Sequence, residues 1–250
     1  MTTTWDPALY LDFDDHRARP FHDLLARVRV ASPRRVVDLG CGPGTMTALL
    51  AARWPEAVLE ALDSSAEMVA AAQANGIPAH RRAVEDWVPE SDTDVVVTNA
   101  VLQWVPTHRE LLVAWLRALP SGAVLAMQVP GNFAAPSHAL ARELAAERGI
   151  TLRGEDGVAE PTEYATLLAG AGAEVDVWET TYVQRLTGED PVLHWISGTA
   201  LRPVRDALSE AHYRDFTAAL APRLREAYPP DPKGHTWFPF RRLFAVAHLP

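Results

Sequence analysis

The chain has 250 residues and a formal net charge of −9 at pH 7, because 32 acidic residues outnumber 23 lysines and arginines. This balance argues against nucleic acid as a partner and against an anionic membrane, since both need a basic surface. No apolar run approaches the roughly 20 residues that span a bilayer, and the start of the chain lacks the features of a signal peptide. Cys41 is the only cysteine, which excludes an internal disulfide, and the histidines lack metal-ligand spacing. We therefore expect a cytoplasmic protein without a metal site.

Helices and strands alternate along the first half of the chain. The apolar patterns predict a helix over residues 19–30 and strands over 34–39, 57–62, 79–82, 94–99 and 123–129. Further helices are predicted between the strands, over 45–54, 66–75 and 107–118. Residues 95–97 are apolar at consecutive positions, which is typical of a parallel strand buried on both faces. The alternation predicts an α/β fold with a mostly parallel sheet.

The second half of the chain departs from this alternation. Helices are predicted over 136–148, 162–171, 191–199 and 208–226, and strands over 174–183 and 241–249. The length suits a single domain over 1–250. Within it, residues 1–30 are predicted to form an N-terminal cap helix region. Residues 185–235 connect the last two strands and are predicted to form a lid insertion above the pocket.

A glycine-rich turn follows the first strand, with the sequence Asp-Leu-Gly-Cys-Gly-Pro-Gly over residues 38–44. Glycines at such a turn let the backbone approach a ligand. The next strand ends in Asp63, and an acid at that position can accept both ribose hydroxyls of an adenosine. A dinucleotide fold has the spacing G-x-G-x-x-G instead of G-x-G-x-G, and Pro43 removes an amide donor that a pyrophosphate would use. A glycine turn without a ligand is the plainer alternative, but it leaves the two acids at two strand ends unexplained.

This pattern resembles the first motif of the class I S-adenosylmethionine-dependent methyltransferases. The resemblance implies a Rossmann-like, seven-stranded, mostly parallel sheet with helices on both faces and an α-helical lid. It also implies S-adenosyl-L-methionine as the cofactor and S-adenosyl-L-homocysteine as its product. The residues that it assigns to the cofactor lie in the N-terminal segment and near successive strand ends: Tyr10, Arg19, Asp38, Gly40, Cys41, Gly42, Asp63, Ser64, Met68, Val84, Glu85 and Asn99.

Some of these assignments carry a specific role. The resemblance places Asp38 by the amino end of the methionine moiety, Asp63 on the ribose and Met68 over the adenine. Glu85 would lie at the adenine edge, and a solvated surface acid is the alternative interpretation. Cys41 has no His or Asn partner motif of a nucleophile, so we expect it to fill space and lend its amide.

Segments outside the cofactor motifs resemble the trans-aconitate 2-methyltransferase family. They are residues 5–11, 17–20, 102–104, 128–132, 180–182, 198–203 and 238–244. This resemblance implies that the substrate is a small carboxylic acid. It assigns substrate binding to Arg17, Arg19, Asn132, Tyr182, Trp195, Arg202 and Arg241, and positioning of the reacting groups to Tyr10, Gln103 and Trp104. Trp104 is equally explained as a core aromatic at the start of a helix.

Methyl transfer to a carboxylate needs no catalytic base, because the oxygen is already nucleophilic at pH 7. The reaction depends on holding oxygen, methyl carbon and sulfur in line and on excluding water. An acidic protein needs a local arginine cluster to bind a tricarboxylate. Two other interpretations stay open: a methyltransferase for another free carboxyl, such as a malonyl carrier-protein thioester, and a non-catalytic S-adenosylmethionine-binding protein. We expect a monomer.

Overall fold

The computed structural model describes residues 14–152, 154 and 157–250, with side chains described from residue 18 onward in the first helix. The strands are β1 (Arg35–Leu39), β2 (Val58–Asp63), β3 (Ala79–Arg81), β4 (Thr93–Asn99), β5 (Val124–Pro130), β6 (Glu174–Leu186) and β7 (Thr236–His248). The α-helices are α1 (Asp14–Leu25), α2 (Thr47–Arg53), α3 (Ala66–Ala74), α4 (His108–Ala118), α5 (Pro136–Ala146), α6 (Pro161–Gly170), α7 (Pro191–Ser197), α8 (Arg202–Ala207) and α9 (Glu210–Ala227). Single 3-10 turns lie at Val84–Asp86 and Leu102–Trp104.

The described strands form one seven-stranded sheet in the order β3-β2-β1-β4-β5-β7-β6. β1 pairs in parallel with β2 and β4, and β2 with β3 and β4 with β5 are parallel as well. Gly122, before β5, donates its amide to Leu249, whereas Gly131, after β5, donates to Arg241, so β7 runs antiparallel to β5. The predicted Rossmann-like, mostly parallel seven-stranded sheet is confirmed.

The strand order locates the crevice where a ligand can bind. From β1 the chain moves outward to β2 and β3, and then returns to the other side of β1 with β4. Open α/β sheets bind their ligands outside the carboxyl ends of the strands at such a switch point. Val95, Val96 and Val97 of β4 are fully buried, as the consecutive apolar run predicts. The carboxyl ends of β1, β2 and β4 are therefore the place to look for a site.

The main differences from the predicted elements are the start of β7, a helix that was not predicted and the end of the first helix. β7 begins at Thr236 rather than residue 241; residues 236–240 alternate buried and exposed, but Pro239 has no amide donor and obscures the strand pattern. The helix predicted over 208–226 is confirmed as α9, which begins at Glu210 because the side chain of Ser209 accepts from the amide of His212, whereas the short helix α8 before it was not predicted. The first helix ends at Leu25 rather than residue 30, in a tighter turn whose amides donate to carbonyls three residues back.

The chain divides into two compact units. The first contains the described residues up to Val129, together with Val158–Glu179 and Leu243–Pro250. The second contains Pro130–Gly157 and Thr180–Arg242. The segment 185–235 falls within the second unit, and its role as a lid stays a prediction, as do the single domain and the N-terminal cap, part of which lies outside the described residues. Within the described ranges, no helix combines the length and the apolar character needed to cross a membrane.

Candidate active site

Three of the predicted cofactor residues end neighbouring strands on one face of the sheet. Asp38 of β1 pairs in register with Ala61 of β2 and with Val97 of β4. Alternate side chains of a strand share a face. Asp63, two residues after Ala61, and Asn99, two residues after Val97, therefore lie on the same face as Asp38. The first unit thus brings two carboxylates and an amide together at the carboxyl edge of the sheet.

Every amide of the loop after β1 already has an acceptor within the protein. Gly40 and Cys41 both donate to the carbonyl of Leu62, at 2.8 and 2.9 Å. The amide of Gly42 donates to a carboxylate oxygen of Asp63 at 2.9 Å. The last glycine of the loop donates to the carbonyl of Cys41 at 3.1 Å, and the proline before it has no amide. The loop therefore lacks the free N–H groups that cradle a pyrophosphate, which agrees with the sequence argument against a dinucleotide.

The space around the Cα atom differs among the three glycines of this loop. A Cβ on Gly40, at φ +82°, would lie 2.2 Å from Cγ2 of Val101. A Cβ on Gly44, also at φ +82°, would lie 2.7 Å from Ile77. A Cβ on Gly42, at φ +55°, would meet nothing within 4 Å. Packing within the protein accounts for the first and last glycines, whereas Gly42 faces open space that a ligand can enter.

Asp63 is half-buried at the end of β2 and holds the loop as well as facing this space. One carboxylate oxygen accepts from the amide of Gly42 and the other accepts from the amide of Ser65, at 2.8 Å. Burial raises the pKa of Asp63, and the amides of Ser65, Gly42 and Ser64 oppose that shift. Each carboxylate oxygen can accept a further hydrogen bond. The acid is therefore able to bind ribose hydroxyls without releasing the loop.

The other predicted adenosine-side residues lie just beyond Asp63. Met68 is buried in α3, and its amide donates to the side chain of Ser65 at 3.2 Å. Ser64 is exposed. In the 3-10 turn that follows β3, Val84 is buried and Glu85 is exposed. The exposure of Glu85 leaves its cofactor role and its role as a solvated acid equally open.

Asp38 is a buried carboxylate with a single side-chain donor among the described residues. It is 2% exposed, and the hydroxyl of Thr47 donates to its Oδ2 at 2.6 Å. Burial raises its pKa to about 6; the Thr47 hydrogen bond lowers the pKa, and the charge of Asp63 raises it. At pH 7 the group is mainly ionised. A buried anion in this position favours a cationic ligand.

The turn after β4 is strained and tightly held. Ala100 has φ 58°, which costs a non-glycine residue about 1–3 kcal/mol. Its amide donates to the carbonyl of Gln128 at 2.9 Å, and its carbonyl accepts from Nε2 of Gln103 at 2.7 Å. Gln103 is 4% exposed, and Trp104 is 39% exposed, which does not fit the alternative that Trp104 is a core aromatic.

Neither cysteine nor metal chemistry fits this edge. The thiol of Cys41 is buried, and burial, with the charges of Asp38 and Asp63, raises its pKa well above the usual range. It is therefore not a thiolate nucleophile at neutral pH. Within the ranges that the structure describes, no group of three His, Cys, Asp or Glu side chains could hold a metal ion.

In the second unit the predicted acid-binding residues Arg241 and Asn132 are brought near each other, whereas Trp195 packs against the other face of β7. Gly131 and Arg241 exchange hydrogen bonds: the Gly131 amide donates to the Arg241 carbonyl at 2.9 Å, and the Arg241 guanidinium donates to the Gly131 carbonyl at 3.4 Å. Asn132, the next residue, is 4% exposed. Trp195 packs edge-on against Phe240, with ring centroids 5.6 Å apart. An arginine and an amide are thus placed near each other by β7 and the loop after β5.

The remaining predicted residues are more scattered. Tyr182 is buried in β6, and Arg202 is half-buried at the start of α8. Arg19 is exposed on α1. Tyr10 and the side chain of Arg17 lie outside the described residues, so their assignments stay predictions.

Four residues that support the site were not singled out from the sequence. Thr47 donates to Asp38, and Ala100 holds Gln103; neither carries a sequence signal for these contacts. Ser65 follows the strand-end acid and precedes a helix, which is a recognisable N-cap signal. His138 contacts Asn132, with Nδ1 and Nδ2 3.3 Å apart, and burial together with the charge of Arg142 lowers the His138 pKa to about 4.

Comparison with known proteins identifies the family. A family model described as a methyltransferase domain matches residues 13–176. The trans-aconitate 2-methyltransferase of Rhodococcus jostii is 61% identical over 252 aligned residues, which cover 98% of this chain and 99% of the relative. The protein of the same name from Mycobacterium tuberculosis is 54% identical, with 98% and 97% covered.

This chain belongs to the trans-aconitate 2-methyltransferase family.

Solved structures agree at the level of the fold. The YcgJ protein of Bacillus subtilis has a TM-score of 0.60 at 11% identity, over 93% of this chain and 99% of that protein. Phosphoethanolamine N-methyltransferase 2 of Haemonchus contortus, solved with S-adenosyl-L-methionine, has a TM-score of 0.55 at 15% identity, over 93% of this chain and 53% of that protein. The methyltransferase-domain match and the 61% identical relative, rather than these structures, make the chain an S-adenosylmethionine-dependent methyltransferase and confirm the predicted cofactor.

The described residues fit this cofactor. The space above Gly42 admits a ligand, and Asp63 beside it has the acceptors that a ribose needs. Asp38 supplies a buried negative charge, and Oδ1 of Asn99 is buried without a hydrogen-bond partner among the described residues. Both groups are acceptors, which suits the ammonium group of a methionine moiety.

The glycines give a paired prediction for this methyltransferase. Gly40→Ala should destabilise the fold by about 2 kcal/mol or more, because the new methyl group overlaps Val101 at a positive φ. Gly42→Ala should cost only about 1–2 kcal/mol, the strain of a left-handed alanine, and should instead weaken cofactor binding. Thermal unfolding and calorimetric titration of both variants provide the measurement. Normal cofactor affinity in a folded Gly42→Ala protein would show that the ligand does not approach this face of the loop.

The pKa of Asp38 gives a pH dependence. A nearby ammonium group binds the ionised form, so affinity for S-adenosylmethionine should fall as pH drops through about 6. Binding at pH 5 should be about tenfold weaker than at pH 7, the ratio that a single titration near 6 imposes. Titration calorimetry between pH 5 and 8 tests this. Asp38→Asn should remove the slope, and Thr47→Val should shift it to higher pH, because the Thr47 hydroxyl lowers the pKa. The same slope in Asp38→Asn would assign it to another group.

Proposed function

We propose that this methyltransferase transfers the methyl group of S-adenosylmethionine to a carboxylate oxygen of trans-aconitate or of a similar small tricarboxylic acid. The observation that supports this most is the extent of the likeness. Identity of 61% to the Rhodococcus jostii trans-aconitate 2-methyltransferase covers 98% of the chain, so it includes the second unit and not just the cofactor loop. Residues outside cofactor motifs are the ones that choose an acceptor.

The chain's residues are suited to a reaction that needs no proton transfer. S-adenosylmethionine supplies a methyl group on a positively charged sulfur. Asp63 holds the ribose, and Asp38 and Asn99 hold the polar end of the methionine moiety, which fixes the position of the methyl group. The buried residues of β4 up to Thr98 keep water away from one side of this region. An ionised carboxylic acid brings its own nucleophile, so positioning is the protein's main contribution.

The acid itself needs positive charge, since the whole chain carries a net charge of −9. We assign this role to Arg241, with Arg202, Arg19 and Arg17 as further candidates. The arginine fork binds a carboxylate through two parallel hydrogen bonds. Asn132 is an additional donor: Nδ2 has two hydrogens, and the contact with His138 uses one of them. Tyr182 and Trp195 are assigned to the walls of the acid pocket.

A donor-dependent assay over a panel of acids tests the proposal. The panel should contain trans-aconitate, other small di- and tricarboxylates, monocarboxylates and a malonyl carrier-protein thioester. We expect the highest kcat/KM for a tricarboxylate, and methyl label that is released by mild base, as an ester requires. Preference for the carrier-protein substrate would show that the protein is a methyltransferase for that carboxyl group instead. Label stable to base would exclude an ester altogether.

A further inference from the structure

The amide of Gln103 has a fixed orientation. Its Nε2 donates to the carbonyl of Ala100 at 2.7 Å, so the side chain is turned with its nitrogen toward the backbone. Its Oε1 is buried and has no hydrogen-bond partner among the described residues. A buried carbonyl oxygen is rarely left without a donor in a folded protein. A ligand that carries a hydrogen-bond donor can therefore bind to this oxygen.

The surrounding backbone holds Gln103 in this orientation at a cost. Ala100 adopts φ 58°, a conformation that alanine avoids, and its carbonyl thereby meets the Gln103 amide. The amide of Ala100 is tied to the carbonyl of Gln128 at 2.9 Å. The next residue, Val101, lies against Gly40 of the cofactor loop. Strain that is fixed on both sides, beside a ligand-binding loop, is typical of a functional position.

The polar groups at this edge of the sheet indicate which kind of ligand group binds the Gln103 oxygen. Asn99 Oδ1 is a second buried acceptor without a described partner, and Asp38 adds a negative charge on the same face. Acceptor oxygens repel the carboxylates of an acid substrate. They attract an N–H group or the polarised C–H of a methyl group on a charged sulfur. S-adenosylmethionine carries both, as an ammonium and as a sulfonium.

We propose that Gln103 binds the positively charged part of the methionine moiety through its carbonyl oxygen, and does not bind the acid. The proposal depends on methyltransferase function but not on which acid is methylated. Gln103→Leu removes the oxygen at similar side-chain volume, whereas Gln103→Glu keeps an acceptor and adds charge. The leucine variant should bind S-adenosylmethionine roughly tenfold more weakly. The glutamate variant should bind it at least as tightly as the unsubstituted protein.

Titration calorimetry with three ligands shows whether Gln103 contacts the ammonium or the sulfonium group. The first ligand is S-adenosylmethionine, which carries both. S-adenosylhomocysteine lacks the sulfonium charge, and 5′-methylthioadenosine lacks the amino-acid part as well. If Gln103 contacts the sulfonium side, Gln103→Leu weakens S-adenosylmethionine alone. If it contacts the ammonium, S-adenosylmethionine and S-adenosylhomocysteine weaken together while methylthioadenosine is unchanged. Either pattern supports the proposal.

Three results would overturn it. Equal weakening of all three ligands would make Gln103 a structural residue. Unchanged affinities would mean that the oxygen is satisfied within the protein. A raised KM for the acid at unchanged cofactor affinity would make Gln103 an acid-binding residue. Glu110→Gln, a change at an exposed residue of the helix that follows this turn, is the control and should leave all three affinities unchanged. If Gln103→Leu does not fold, Gln103→Glu decides: its affinity for S-adenosylmethionine relative to 5′-methylthioadenosine, which lacks both charged groups, should rise, and an unchanged or lowered ratio counts against the proposal.

Discussion

Replacing Asp63 with alanine should weaken S-adenosylmethionine binding by roughly 1.5–3 kcal/mol, or about 10- to 150-fold in Kd, the scale of hydrogen bonds to a charged group. The carboxylate faces the open side of the glycine loop and has the free acceptor capacity that two ribose hydroxyls require. The same carboxylate accepts from the amides of Gly42 and Ser65. Part of the loss will therefore come from a loosened loop, and titration calorimetry should be paired with thermal unfolding.

Two further variants separate these contributions. Asp63→Asn keeps one oxygen that can accept an amide, so it should preserve more of the loop and still bind the ribose less well. Glu56→Ala removes the same charge from an exposed position before β2, at the opposite end of the strand, and should leave cofactor affinity unchanged. Wild-type affinity in a folded Asp63→Ala protein would remove this acid from the cofactor site.

The cofactor side of the fold could be predicted because its signals are local in sequence. Consecutive apolar residues mark β1 and β4, and the glycines that follow β1 and its acid form a turn whose geometry few other residues allow. Even here the sequence does not distinguish the glycines from one another. Gly40 is required by Val101, some sixty residues away in the chain, whereas Gly42 is open to a ligand. Only the packed structure separates these two reasons.

The residues predicted to bind the acid show where sequence reasoning is weaker. Because of Pro239, the sequence pattern does not indicate the first part of β7. The alternation of buried and exposed residues in that part determines which side chains share a face. Phe238, Phe240 and Arg242 are buried on one face of that strand, while Arg241 is half-buried on the other. Adjacent arginines in the sequence are thus in different surroundings. The contact between Asn132 and His138 likewise depends on the turn into α5 and not on any spacing motif.

Arg241→Ala should lower kcat/KM for trans-aconitate by about 1.5–3 kcal/mol of transition-state free energy, the magnitude of one lost charge-assisted contact. The loss should be smaller for a monocarboxylate of similar size, because such an acid has no extra carboxylate for this guanidinium to bind. Arg241→Lys should restore little of the activity, since a point charge does not replace the planar fork. Steady-state kinetics with both acids, at low and high salt, provide the measurement. High salt should reduce the preference for the tricarboxylate by screening the charges.

The control must remove a positive charge from the same unit without touching the acid. Arg223 of α9 suits this purpose, because it forms a surface ion pair with Glu147 at 3.8 Å, and exposed pairs of this kind contribute little. Arg223→Ala should therefore leave both kcat/KM values nearly unchanged. The hydrogen bonds between Arg241 and Gly131 give Arg241 a structural role as well, so the absolute loss of activity is not decisive. The ratio between the two acids is decisive, since loosening of the loop would affect both equally. Equal losses for the tricarboxylate and the monocarboxylate would show that Arg241 supports the fold, and the choice of acid would then belong to other arginines.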